Sequence, residues 1–296
     1  MARFELLNNV AHKDLRVATG FDPRFGDAVG MVPAYPSEYA ELQREYPIFF
    51  RKDEAGEWMS VALLGFEQHE NLFLRDGRWN AAYLPGAVAK GPFLIGFQEQ
   101  HVDGELRQAP VIHVDVDHPR VNHDDGEAVF LPQGGNSPYL DHIADVLRGI
   151  RDGAEFGAAM FAAFDALGLI QPMQLAVELD ARHRVDVRGL HGIDRDALAA
   201  LDGAALERLH RAGYLEGAYL LLASLHNVRR LMAEKQRRLR EQETAASHGG
   251  HLTVDVAPTA MRTLDVADAG GLPLDDLLAA GVPTRLRGVA RDWGLV

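Results

Sequence analysis

Near Ser137 the apolar residues change their spacing. Upstream they fall in short runs and alternations bounded by turn residues, and downstream they recur at the three- and four-residue intervals of amphipathic helices. A chain that segregates strand-like from helix-like stretches, instead of alternating them, does not supply the repeated strand-helix-strand units of a doubly wound sheet. It is expected to be α+β, with a mainly antiparallel N-terminal β region packed with a C-terminal helical region.

Within the β region, "YPIFFRKDEAGEWMSVALLGF" predicts two strands, Ile48 to Arg51 and Trp58 to Leu64, joined by a polar turn with Asp53, Glu54 and Gly56. A further strand, an Asp76-Gly77 turn and a Gly/Pro-rich loop precede a strand around Phe93 to Phe97. Before the hairpin, "YPSEYAELQREYP" predicts one short helix capped by Ser37, with Glu41 near the reciprocal position. After Ser137, the residues Ile143, Val146, Leu147, Ile150, Phe156, Met160, Phe161 and Phe164 keep helical spacing. A break near Gly153 leaves open two helices or one kinked helix. "MQLAVELDARHRVDVRGLHGI" alternates like a hairpin with Leu175, Val177 and Leu179 on one face. Leu221, Leu225, Val228 and Met232 then form a final helical stripe. The small polar run "TAASHGGH" marks a linker at 243–251, dividing a domain at 1–242 from a tail at 252–296. The tail is too short to build a core of its own, which makes it a docking segment.

Composition removes several function classes. The chain has no cysteine, so disulfides, thiolate metal sites and cysteine nucleophiles are out. A formal charge of -13 opposes a phosphate backbone, so nucleic acid is not an expected partner. No apolar run approaches the roughly 18 residues of a membrane span. The N-terminus shows neither the basic start nor the apolar core of a signal peptide, and the expected location is the cytoplasm.

The densest set of metal-ligand residue types is "IHVDVDHPRVNHDD", residues 112–125, with three histidines and four aspartates. Alternation puts Ile112, Val114 and Val116 on one strand face and His113, Asp115 and Asp117 on the other. At about 3.3 Å per residue, His113 and Asp117 stand roughly 13 Å apart, too far to share one ion. A solvated strand face is therefore favoured, and no metal is predicted. The alternative is an Fe(II) site in which His118 or His123 folds back to join His113 and Asp115. No catalytic residue set is recognisable. "HKDLR" puts His12, Asp14 and Arg16 on alternate positions, where the carboxylate could bridge two cations. Trp79, Asn80 and Tyr83 in "GRWNAAYLPG" suit a recognition loop, although core packing is the favoured reading of Trp79. The basic run Arg229, Arg230, Lys235, Arg237, Arg238 and Arg240 is read as complementing the negative end of its helix.

Taken together, "HKDLRV", "VPAYPSEYAELQREYPIFFRKDEAGEWMSVALLGFEQHENLFLRDGRWNAAYLP", "SPYLDHIADVLRGI" and "LHGIDRDALAALDGAALERLHRAGYLEGAYLLLASLHNVRRL" resemble the bacterial SapC family over residues 3–242. The resemblance implies an accessory or adaptor protein, binding a protein or peptide partner. It links that partner to TonB-dependent uptake, surface-layer, flavin-dependent halogenase-like or cupin-like hydroxylase systems, with a homo-oligomer also open. It carries no agreed catalytic residues, and the alternative role is an iron-dependent oxygenase or an essential subunit of one. "LPLDDLLAAGVPTRLRGVARDWGLV" resembles the start of a cupin-like, JmjC-type hydroxylase domain. As a docking arm it would anchor through Val282, Leu286, Val289 and Trp293.

Overall fold

A computed structural model describes residues 2–102, 105–178, 184–249, 262–265 and 284–287. The chain divides into two units, residues 1–239 and 240–296. The first begins with β1 (Phe4–Leu6), β2 (Arg16–Val17) and β3 (Met31–Pro33), followed by a short helix α1 (Tyr39–Leu42) and the hairpin β4 (Ile48–Lys52) and β5 (Trp58–Leu63). A tight hairpin, β6 (Leu74–Arg75) and β7 (Arg78–Trp79), leads to a one-turn helix α2 (Gly86–Ala89) and a long ribbon, β8 (Phe93–Val102) and β9 (Glu105–Asp115). The short β10 (Val121–Asn122) and β11 (Glu127–Ala128) precede the 29-residue helix α3 (Pro138–Ala166). A second ribbon follows, β12 (Ile170–Glu178) and β13 (Arg184–Ile193), and then α4 (Arg195–Ala199), α5 (Gly203–Arg211), α6 (Tyr214–Ser224) and α7 (Asn227–Gly249). Every strand pairing in this unit is antiparallel, and the helices gather C-terminally, as the period change predicts.

The largest sheet has the order β12-β13-β4-β5-β3, and a second has the order β1-β9-β8. Each backs its own apolar cluster. The larger cluster holds Phe49, Phe50, Val61 and Leu63 of the central hairpin with Phe161, Phe164 and Leu221, and the smaller holds Phe93, Val114 and Leu15 with Leu140, Ile143 and Leu147. Helix α3 serves both: its first three turns pack on the smaller cluster and its last two on the larger. It opens at Ser137, whose hydroxyl accepts from the Leu140 N–H at 3.1 Å, with Pro138 in the first helical position.

The break foreseen near Gly153 does not occur; α3 runs through it. The glycine answers a close approach instead, since a Cβ there would lie 2.4 Å from Ser37 Oγ and 2.8 Å from Tyr35 Cβ. At the tip of β6–β7, Asp76 and Gly77 both take positive φ (50° and 71°), the two-residue turn expected from the sequence. The final helical stripe is two helices, because the chain turns at Leu225 and His226 between α6 and α7. The segment read as a linker stays helical as far as Gly249. Among the described residues, no helix is long and apolar enough to cross a membrane.

In the second unit, β14 (Arg262–Asp265) pairs in parallel with β15 (Thr284–Arg287), Leu264 opposite Leu286. Val282, Val289 and Trp293 lie outside the described residues.

Candidate functional site

The polar side chains that converge belong to residues 35–46 and the loop they grip. Tyr35, Pro36 and Ser37 turn the chain into α1, and the Glu38 carboxylate reaches back to accept from the Tyr35 N–H at 3.1 Å. Its other oxygen accepts from the Gly86 N–H at 2.8 Å and the Tyr83 hydroxyl at 2.9 Å. Ser37, expected to cap the helix, donates its hydroxyl to the Gly149 carbonyl of α3 at 2.9 Å. The cap is therefore Glu38, three residues on from Tyr35, and Glu41 instead pairs with Arg44.

Seven residues further on, Glu45 accepts from the Ala82 and Tyr83 N–H groups at 2.7 and 3.2 Å, and its second oxygen meets Arg230 at 3.2 Å. Two glutamates, one before and one after a short helix, thus hold the loop 82–86 by its backbone. Tyr46, fully buried, donates to the Tyr83 carbonyl and accepts from the Trp79 indole N–H at 2.7 Å. Burial pushes the Glu38 carboxyl above the usual carboxylate range, and its three donors only partly oppose that. The phenols of Tyr35, Tyr46 and Tyr83 are all pushed up, first by burial and then by the neighbouring carboxylates, and Tyr46 and Tyr83 serve as neutral donors.

This frame walls a cleft of about 440 Å³ against α3, lined by Tyr35, Tyr83, Leu84, Ala89, Val146 and Ile150, with His142 and Asp145 exposed at its rim. Gly86 sits where a Cβ would be 3.4 Å from Ile150 and 3.3 Å from a Glu38 oxygen. Of the expected recognition loop, Tyr83 faces the cleft. Trp79 packs into the core against Phe21 and Phe73, and Asn80 is exposed beside a separate, smaller cavity next to α7.

The histidine and aspartate stretch disperses. His113 on β9 lays its ring over Gly96, whose added Cβ would come within 2.6 Å of the imidazole, and its Nδ1 is buried without a partner. Asp115 accepts from the backbone N–H groups of Arg3 and Asp117 at 2.9 and 3.2 Å. His118 Nδ1 accepts from the Arg120 N–H, and its pKa is lowered by burial and then by the Arg120 charge. His123 stands exposed beside the Asp14 carbonyl. Among the described residues no three His, Asp or Glu side chains gather in a way that could hold a metal ion. In this structure the four residues of the alternative iron site are not brought together.

The residue of this stretch with the most partners is one that ligand chemistry passes over. Arg120, 7% exposed, forms a two-pronged pair with Asp27, itself 6% exposed, at 2.7 and 2.8 Å. It also donates to the carbonyls of Ala18 and Gly20 and covers the Phe25 ring.

Two other expectations need correction. Asp14 does not bridge His12 and Arg16: residues 12–14 form turns, His12 meets Glu5 at 3.2 Å and Arg16 donates to the Gly126 carbonyl. The basic run does not lie at a helix end, because α7 continues past it. Lys235 binds Glu67 and Glu70, both at 2.6 Å, and Arg238 binds the carbonyls of Asn71, Leu72 and Leu74, fastening the 67–74 loop to α7.

Sequence reasoning missed Glu38, Glu45, Tyr46 and the Asp27–Arg120 pair. A signal was present for the first three: carboxylates seven apart, each followed by tyrosine, in "EYAELQREY".

A family model described as SapC matches residues 7–231. No curated protein and no solved structure matches the chain.

Proposed function

Since the chain belongs to the SapC family, and since Glu38, Tyr83 and Ser37 of the wall of its cleft along α3 are already engaged within the fold, we propose that it is an accessory protein whose cleft receives a protein or peptide partner. The observation that carries this is the satisfaction of Glu38. Three donors occupy its two oxygens, Tyr83 is spent on Glu38, and Glu45 is spent on the loop. Groups engaged in this way keep a shape and are not poised to transfer protons. They present the aliphatic faces of Leu84, Val146 and Ile150 beneath a polar rim, the composition of a recognition site. The partner is to be sought in the cytoplasm, among TonB-dependent uptake, surface-layer, halogenase-like and cupin-like hydroxylase systems, with the C-terminal segment as a second point of attachment.

The test is affinity purification of tagged chain from its native host followed by mass spectrometry, comparing wild type with Val146→Arg and Ala89→Gln. Both positions are half-buried at the cleft, so the fold should survive, as circular dichroism and the melting temperature would verify. A partner recovered with wild type should be depleted with both variants. Undiminished recovery with both would overturn the assignment.

A further inference from the structure

The cleft does not end at Ser37. On the far side of the Ser37–Gly149 contact a second hollow of about 460 Å³ opens between α3 and α6, floored by Pro36, Met160 and Leu220 with Phe156 at its edge. Along α3, Val146, Ile150, Gly153, Phe156 and Met160 follow one another at steps of three or four residues, so the two hollows share one helix face. From His142 to Met160 that face runs roughly 27 Å at ~1.5 Å per residue. An extended segment of about eight residues would span it.

The charged side chains that line the two hollows have one sign. Glu38 and Asp145 line the first hollow and Asp152 and Glu216 the second, and neither hollow has a lysine or arginine in its lining. Asp145 and Asp152 pair with Arg148 and Arg151 of the same helix, which lie outside the lining, and Asp152 and Glu216 are exposed. Phe156, 40% exposed, stands among these carboxylates and meets the Tyr214 ring edge-on at 5.2 Å. An apolar floor edged by carboxylates, on a chain with net charge -13, complements a segment that alternates apolar and cationic side chains.

We propose that the double hollow along α3 binds a basic, amphipathic peptide segment of a partner protein, with aliphatic or aromatic side chains entering on either side of Ser37 and lysine or arginine meeting Asp152 and Glu216. This rests on the cleft being the partner site and adds the chemistry of the partner.

The test uses the full chain and three fluorescent ten-residue peptides that alternate leucine with lysine, serine or glutamate, followed by anisotropy. The lysine peptide should bind saturably, one per chain, and at least ~10-fold tighter than the serine peptide. Asp152→Asn with Glu216→Gln should weaken it roughly tenfold. Asp124→Asn with Asp125→Asn, the same charge change on an exposed loop away from α3, should leave it unchanged. Phe156→Ser should weaken the lysine and serine peptides alike. Equal loss in the two double variants would reduce the effect to net charge and overturn the inference, as would equal binding of the glutamate peptide. If Val146→Arg sheds the native partner while the Asp152/Glu216 variant binds the lysine peptide like wild type, the basic-segment inference falls and the cleft reading stands. The reverse pattern overturns the cleft reading and, with it, the inference that rests on it.

Discussion

Residues 112–125 and residues 35–46 make opposite use of polar side chains. The first stretch is crowded with ligand-type residues that the fold spreads out. A β-strand separates same-face neighbours by nearly 7 Å and aims them in parallel, so His113 and Asp115 serve different partners and His123 ends in solvent. The second stretch is an ordinary-looking helical segment in which three side chains, Glu38, Glu45 and Tyr46, reach a single loop, 82–86, and share it as a partner. Local density of a residue type therefore says little about convergence, which depends on which distant backbone arrives to be bound.

The sharpest way to break the comparison is to ask which side chain of the dispersed stretch the fold depends on. Arg120→Met leaves the Asp27 carboxylate buried without its cation and frees two carbonyls. It should cost about 4 kcal/mol in chemical denaturation, whereas His123→Ala, at an exposed position, should fall within about 0.5 kcal/mol of wild type. Comparable losses would return the histidines to the centre of that region.

Next in size is Glu38→Ala. It orphans the Tyr35 and Gly86 N–H groups and the Tyr83 hydroxyl, and it also removes a buried charge, so the net loss is expected at about 2–3 kcal/mol. The sign with pH is opposite to that of a salt-bridged carboxylate. Because burial raises the folded pKa, the native state holds the proton more firmly than the unfolded chain. This contribution is fully present below the ordinary glutamate value of about 4.3 and is lost as pH rises through the folded value. Glu38→Gln should flatten that decline in a stability-against-pH series. An unchanged slope would show that Glu38 is not the group responsible.

The contrast also marks what the sequence could reveal. The α+β division, the β4–β5 hairpin, the Asp76-Gly77 turn and the β9 alternation are all local patterns, visible as period two, period three to four, or a turn pair. The Glu38 and Glu45 contacts bridge 37 to 48 residues and Arg120–Asp27 bridges 93. Spacing along the chain does not encode such meetings. Gly153 misled for a related reason: glycine in a helix reads as a break, but here its missing Cβ admits the 35–37 segment. Likewise, the cations of α7 read as a helix end because the 67–74 loop they fasten is more than 160 residues away.

A smaller effect tests the dispersed stretch from its titration. His118 is held neutral by partial burial and by the Arg120 charge, so its folded pKa lies below the ordinary value of about 6.5. The unfolded chain then takes up the proton first, and stability declines as pH falls below that value. His118→Asn keeps an acceptor for the Arg120 N–H, and it should match wild type at pH 7.5 while losing less between pH 7 and 5. An identical acid-side decline would assign it to another group.

The smallest expected effect bears most directly on the dispersal of the histidines. An ion bound only to the native state stabilises it by RT ln(1 + [L]/Kd), so a site filled at one hundred times its Kd would add about 2.7 kcal/mol and raise the melting temperature by several degrees. One imidazole over a glycine, one carboxylate spent on backbone donors and one ring in solvent cannot act together in this way, because each would have to leave its present place before a second ligand could reach the same ion. Millimolar Fe(II), Zn(II) or Mn(II) should therefore shift the melting temperature by less than about 1 °C, and His113→Ala, Asp115→Asn and His118→Asn should not alter that response. A shift of several degrees, abolished by any one of the three, would mean that the strand and the following loop rearrange to bring them together, and the contrast between the two stretches would then disappear.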